Sequence, residues 1–250
     1  MTARTYLSLF SGVGGLDLGL DRAGWTCVGQ VESDEYCRAV LARHWPGVDR
    51  HDDVRTVRTW WPIRPRPPVR LVAGGFPCQP FSRAGYYGGV GDTRWGWPWF
   101  LDVLRVVGPR YVLLENVPGL LTDRGAFARI LADLADLGFD AEWSLLTACA
   151  VGAPHVRSRL FVVAYPAGVV RPARLAQKPV RGGQVRVAFD DLDAWCGDPL
   201  GVASTIGVDR VADGVAARMV GAGGNAVVPR IGELLGHLIA DIDDSGCAGS

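Results

Sequence analysis

Residues Gly74 to Ser82 read GGFPCQPFS and hold one thiol, Cys78, with Pro77 before it and Pro80 two residues after it. Proline fixes its own φ and donates no backbone hydrogen bond, so these prolines keep the thiol at the mouth of a cleft instead of letting it pack inside. A cysteine held this way suits a nucleophile, which acts as the thiolate. Further along, Glu115 closes the apolar run YVLLENV and supplies a carboxylate for proton control. Arg157 and Arg159 in PHVRSRLF are two residues apart. On a strand that spacing puts both on one face, where they can grip a phosphate or a carbonyl oxygen. Covalent chemistry with proton control is what this set of residue types can perform.

A second group suits ligand binding. LFSGVGGLDLGL places Gly12, Gly14 and Gly15 at a strand-to-helix turn. Such a turn lets backbone approach a ligand closely and aims helix N–H groups at it. The spacing differs from the dinucleotide pattern GxGxxG, and glycine turns after strands are common. Glu32 ends the next apolar run, where a carboxylate can accept from both ribose hydroxyls. Asp53, in HDDV, sits near a third strand end and can accept from an adenine amino group. Taken singly, each acid reads better as a helix cap or loop charge. Together, at three successive strand ends, they favour a nucleoside cofactor.

These groups need a scaffold that collects strand ends. TYLSLF, WTCVGQVE, VRLVAGG, RYVLLENV, EWSLLTACA and RLFVVAYP read as strands, with a short one expected near HDDV. GLDLGLDRAG, DEYCRAVLARHWP and GAFARILADLADLGF read as helices between them. This alternation predicts an α/β fold with a parallel, doubly wound sheet, helices on both faces and ligands at the carboxyl ends of the strands. The rhythm breaks at Pro166 and returns with a helix in VVPRIGELLGHLIADI, which divides the chain into 1–165, a small inserted lobe at 166–218, and a returning segment at 219–250. The tail DDSGCAGS is expected to fray.

Composition narrows the class. The 250 residues suffice for one sizeable core, and 48% of them are apolar, which excludes disorder. No apolar run reaches the length of a membrane span, and the N-terminus lacks the pattern of a signal peptide. The six cysteines (27, 37, 78, 149, 196 and 247) form no CxxC pair, so the reading is a reduced cytoplasmic protein without a disulfide framework or metal site. Net charge is zero, yet 155–189 contains Arg157, Arg159, Arg171, Arg174, Lys178, Arg181 and Arg186 and no acid. Such a face can bind phosphates, although charge alone slightly favours a solvated basic loop.

With these motifs in order, the chain resembles the DNA (cytosine-5) methyltransferases, from residue 5 to about 165 and again from about 218. FSGVGG resembles the family's S-adenosylmethionine loop, Glu32 its ribose ligand and DDV its adenine-contacting turn. GFPCQPFSRAG matches the nucleophile loop, GDTRWGWPWF the segment after it, ENV the glutamate motif, PHVRSR the paired-arginine motif and GNAVVP the closing asparagine motif. The resemblance implies a Rossmann-like methyltransferase sheet with a small target-recognition lobe. It implies methyl transfer from S-adenosylmethionine, leaving S-adenosylhomocysteine, to carbon 5 of a cytosine flipped out of duplex DNA, through a covalent bond from Cys78 to carbon 6.

The same resemblance implies the site. Cys78, Glu115, Arg157 and Arg159 are catalytic. Phe10, Ser11, Gly12, Gly14, Gly15, Leu16, Glu32, Ser33, Asp53, Val54, Gly75, Pro77, Asn225 and Ala226 hold the cofactor. Gln79, Ser82, Arg94, Arg171, Arg174, Lys178 and Arg181 meet DNA. No metal is implied. A monomer is expected, in a prokaryotic or phage-infected cytoplasm, beside a restriction endonuclease that acts separately. His155 stands where the family usually has glutamine, and the short lobe implies a short recognition sequence. The transfer-RNA branch of the family typically shows Cys-Phe-Thr near the lobe, which this chain lacks; a catalytically dead relative is disfavoured by the intact Cys78, Glu115 and Arg159.

Two tryptophan clusters remain. Trp60 and Trp61, beside Arg64 and Arg66, suit a base-stacking platform, but with four prolines nearby they read better as cover for the sheet edge. Trp95, Trp97 and Trp99 alternate in the region of a glycine-rich stretch from Pro80 to Pro98 that reads as a lid; Trp99 suits a place near the cofactor, but all three read better as core packing.

Overall fold

The structure, a computed structural model, describes residues 3–63, 66–77, 95–153, 156–169 and 227–247. Among the described residues, seven strands form one sheet in the order β3-β2-β1-β4-β5-β7-β6: β1 Thr5–Leu9, β2 Thr26–Val31, β3 Arg50–His51, β4 Leu71–Gly74, β5 Tyr111–Asn116, β6 Phe139–Thr147 and β7 Ser158–Pro166. The helices are α1 Gly15–Arg22, α2 Glu35–His44, the single turn α3 Val57–Trp60, α4 Trp97–Val107, α5 Arg124–Asp136 and α6 Pro229–Cys247.

Side chains alternate strictly between two cores, as the pleat demands. Leu7, Leu9, Val72, Val112, Leu114, Leu160 and Val162 face one side, against Phe100 and Leu104 of α4 and Ile130 and Leu134 of α5. Tyr6, Leu71, Leu113, Phe161 and Val163 face the other, against Leu16 and Leu20 of α1 and Leu235 and Ile239 of α6. Strands buried on both faces read as continuous apolar runs, which is why they were legible.

Strands β1 to β5 pair in parallel, and the chain order reverses between β1 and β4, giving the crevice where doubly wound sheets bind ligands. The all-parallel expectation fails at one strand. β7 runs antiparallel to both neighbours, β5 and β6. A short connection joins β6 to β7, and its described residues include the 3-10 turn Ala148–Val151. Antiparallel neighbours tolerate such a connection, whereas a parallel pair needs a crossover of roughly a dozen residues or more.

Helix α4 also departs from the sequence reading, which gave this segment to the end of a lid. Pro98 sits in its first turn, where a missing N–H costs nothing, and Trp97, Phe100, Leu101 and Leu104 form its buried stripe. Trp95 and Trp97 are buried and Trp99 is half-buried against the same core. Trp60 stacks on His51 of the edge strand β3 at 3.9 Å between ring centres, with the Arg66 guanidinium over both Trp60 and Trp61.

The last helix returns to the sheet through close packing. Trp25 donates to the Gly236 carbonyl at 2.9 Å, and the buried Asp243 accepts from Tyr111 at 2.9 Å and pairs with Arg70. No helix among the described residues is long and apolar enough to cross a membrane. The expected lobe lies outside the described residues, apart from its first four positions.

Candidate active site

The sheet register sets the site in a row. Val31, Leu9, Gly74 and Leu114 pair across β2, β1, β4 and β5. One residue further along each strand, at the carboxyl edge, come Glu32, Phe10, Gly75 and Glu115. Four residues singled out from separate sequence motifs therefore leave the sheet side by side.

The first half of this row is built around a turn. Phe10 has φ 53° and is the only non-glycine residue at positive φ among those described. Such a residue costs energy, and strain of this kind gathers at ligand sites. Gly12 and Gly14 follow at φ 55° and 85°, and Gly14 caps α1. The Ser11 N–H donates to the Val31 carbonyl at 3.2 Å, and the Gly14 N–H closes the turn on the Ser11 carbonyl at 3.0 Å. A methyl group at Gly15 would overlap the Val227 carbonyl, so glycine there lets the segment entering α6 lie against the turn.

Glu32 is tied to that turn. Its Oε2 accepts from the Gly12 N–H at 2.7 Å and its Oε1 from the Asp34 N–H at 2.8 Å. Each carboxylate oxygen can accept twice, so each keeps capacity for a hydroxyl. A side chain at Gly12 would meet nothing within 4 Å, so there is room beside the carboxylate. Open space, a strained turn and a carboxylate with spare acceptor capacity fit the adenosyl and ribose portions of a nucleoside cofactor. Leu16 is buried in the core, Ser33 is exposed and its carbonyl accepts from Arg38 at 2.6 Å, and Val54 packs in the opposite core.

Asp53 does what its simpler reading required. Its carboxylate caps a 3-10 turn by accepting from the Arg55 N–H at 2.9 Å and pairs with the Arg55 guanidinium at 2.8 Å. Hydrogen bonding to Arg55 holds its pKa below the usual aspartate range. Arg55 in turn lies over the Trp99 ring, 5.9 Å from its centre.

The second half of the row gathers the charged groups. Oε1 of Glu115 lies 3.0 Å from Nε of Arg159. Glu115 pairs with Phe161 across β5 and β7, so Arg159, two residues before Phe161, is its diagonal neighbour on the same face. Burial pushes the Glu115 carboxyl above its ordinary value, and the charges of Arg159 and Arg157 act against that rise. Burial lowers the Arg157 pKa, and Arg159 lowers it further. The paired-arginine motif thus reaches the carboxyl edge only because β7 is inverted.

Gly75 makes the fit possible. A methyl there would overlap Oε2 of Glu115. The exit of β4 is fastened from the same side, since the buried Asn116 donates to the Phe76 carbonyl at 3.1 Å and accepts from the Val117 N–H at 2.8 Å. The Pro77 carbonyl accepts from the Gly96 N–H at 3.0 Å, which joins the two ends of the segment between them. Cys78, Gln79, Ser82, Arg94, Arg171, Arg174, Lys178, Arg181, Asn225 and Ala226 lie outside the described residues.

Sequence reading missed Asn116, which followed Glu115 in the quoted motif but received no role. It also missed a buried polar set under the turn: Ser8, Asp17 and Gln30. Their signal was a polar residue inside each of two apolar strands and an acid on an apolar helix face.

The sequence pattern of the C-5 cytosine-specific DNA methylases matches residues 4–180. The chain is 36% identical over 165 residues to Type II methyltransferase M2.BsuMI of Bacillus subtilis, covering 63% of this chain and 41% of that protein. It is 37% identical over 167 residues to Type II methyltransferase M.NaeI of Lentzea aerocolonigenes, covering 66% and 40%. The chain therefore spans about two fifths of the length of these curated relatives. A crystal structure of a putative DNA modification methyltransferase encoded within an E. coli prophage superposes with a TM-score of 0.56 at 26% identity, over 70% of this chain and 49% of that one. Spodoptera frugiperda DNMT2 shares the fold, with a TM-score of 0.54 at 23% identity over 68% and 52%.

Proposed function

The chain belongs to the C-5 cytosine-specific DNA methylase family, and from that membership we propose that it methylates carbon 5 of a flipped-out cytosine in duplex DNA, using S-adenosylmethionine. The observation that supports this best is the row at the carboxyl edge. The glycine turn with Glu32, and Glu115 with Arg159, flank the exit of β4, and Cys78 is the next residue after Pro77.

The described residues fit the cofactor. Glu32 would accept from the ribose hydroxyls, and the turn from Phe10 to Gly15 would carry the backbone close to it. When bound, S-adenosylmethionine supplies an electrophilic methyl group on a sulfonium. The remaining chemistry belongs to the chain. Carbon 5 of cytosine is a poor nucleophile until the Cys78 thiolate adds to carbon 6. Glu115 would hydrogen-bond ring N3 and the exocyclic amine, and its raised proton affinity suits a group that holds a proton at N3 as the adduct forms. Arg159 spends Nε on Glu115 and one terminal nitrogen on the Ser158 carbonyl, leaving N–H groups for the ring's O2. Arg157 adds positive charge beside that pair. Loss of the carbon-5 proton and departure of the Cys78 sulfur would restore the aromatic ring. Duplex DNA is the partner, a soluble bacterial interior the setting, and any companion endonuclease acts separately.

Incubation with labelled S-adenosylmethionine and duplex DNA, followed by digestion to nucleosides, should yield labelled 5-methylcytosine. DNA carrying 5-fluorocytosine should trap a denaturation-resistant adduct, because fluorine cannot leave as a proton does, and Cys78→Ala should trap none. Label in transfer RNA but not DNA would overturn the substrate. An adduct formed equally by Cys78→Ala would overturn the nucleophile.

A further inference from the structure

We infer that Asp17 is a positioning residue for the cofactor site, holding the glycine turn, the start of α1 and the end of β2 in one geometry through a directed chain of hydrogen bonds. The inference rests on the cofactor reading above. Asp17 is fully buried, in the first turn of α1. Its Oδ2 accepts from the Ser8 hydroxyl at 3.0 Å, and its Oδ1 from the Gln30 amide at 2.9 Å. The Ser11 hydroxyl donates to Ser8 at 2.8 Å. Ser8 lies on β1, Ser11 in the turn, and Gln30 two residues before Glu32 on β2.

A buried carboxylate is poor value for stability alone. Its desolvation is costly, and apolar residues of similar volume commonly serve a core as well or better. Here every partner of the carboxylate leads to an element of the proposed cofactor site. The chain also has a fixed direction. A carboxylate only accepts, so Ser8 must give it its proton. The Ser8 oxygen is then left as an acceptor, and Ser11 must donate to it. One charge under the turn therefore sets the orientation of two hydroxyls above it and of the amide beside Glu32. Such a network has one low-energy arrangement, which suits a ligand site that must be formed before the ligand arrives.

The test is a double-mutant cycle on the full 250-residue protein, titrating S-adenosylhomocysteine by calorimetry. Asp17→Asn turns one acceptor into a donor and reverses part of the chain, while Ser11→Ala removes its end. Each should weaken binding about five- to twentyfold, and the double variant should be little weaker than Asp17→Asn alone, because both act through one chain. In steady state, KM for S-adenosylmethionine should rise while kcat stays within about twofold, a split that general destabilisation would not produce. If Asp17→Asn fails to fold, Ser8→Ala cuts the same chain and should reproduce the Ser11→Ala loss. Unchanged affinity in Asp17→Asn or Ser8→Ala, or losses that multiply in the double variant, would overturn the inference. Absence of binding by the unmodified protein would instead overturn the cofactor reading on which it rests.

Discussion

Glu115 at the end of β5 and Arg159 at the start of β7 form an ion pair of 3.0 Å in which both side chains are largely buried. Removing one partner strands the other away from water. Arg159→Ala should therefore cost about 3 kcal/mol of folding stability at neutral pH, measured by urea unfolding. Adding Glu115→Gln to that variant should restore part of the loss, because no carboxylate is then buried without Arg159, although the half-buried Arg157 guanidinium loses its opposing charge. Glu115→Gln alone should leave the fold intact and lower kcat by about 10²- to 10⁴-fold, the range expected of a proton-handling group.

Gly75 tests placement separately from chemistry. In Gly75→Ala the new methyl meets Oε2 of Glu115, the far end of a side chain that can shift. The fold should survive with a small change in melting temperature. The displaced carboxylate should lower kcat by about 10- to 100-fold.

Glu32 supports two backbone N–H groups besides its proposed ligand. Glu32→Ala should weaken S-adenosylhomocysteine binding by about 1–3 kcal/mol in calorimetry, through loss of charge-assisted hydrogen bonds. Asp53→Ala should change it far less, because the Asp53 carboxylate is already engaged by Arg55.

Asp17 makes stability depend on pH in a stated direction. Burial pushes its carboxyl from an ordinary value of 3.8 up to about 6, with Asp21 adding to the rise and the bonds from Gln30 and Ser8 opposing it. Tyr6 and Cys27, also raised by burial and by the Asp17 charge, stay neutral across this range. Between pH 4 and pH 6 the folded state binds more protons than the unfolded chain, so the Asp17 contribution is fully present below about pH 4 and is lost as pH rises through about 6. The unfolding free energy of the native protein minus that of Asp17→Asn should fall by about 3 kcal/mol over this span. A difference independent of pH would show that Asp17 is not buried as a titrating acid.

Much of the scaffold was legible because burial leaves a pattern. Strands covered on both faces are mostly apolar, and TYLSLF, RYVLLENV and RLFVVAYP are, with Ser8 an exception inside the first. The glycine turn, Glu32 and Glu115 were legible as strand-end residues for the same reason. Helix α4 was missed because the glycine-rich stretch running into Pro98 read as a lid, although the apolar residues after it recur at helical spacing. Asn116, Ser8, Gln30 and Asp17 were passed over because a buried polar residue is meaningful only through its partners, and those come from other strands.

The sequence by itself determined which residues stand at strand ends, and with them the kinds of chemistry available: a thiol, a carboxylate, two arginines and a glycine turn. It also determined that Asp53 was either a ligand or a cap. The tertiary structure shows that Asp53 caps a 3-10 turn and carries the Arg55 guanidinium on its carboxylate. It also decided where the two arginines lie relative to Glu115. Side-chain alternation reports which face a residue occupies but not which way its strand runs. With β7 parallel to its neighbours, Arg157 and Arg159 at its start would lie at the amino edge of the sheet, the length of a strand away from Glu115. Pairing β7 antiparallel to β5 turns that start to the carboxyl edge and sets Arg159 against Glu115.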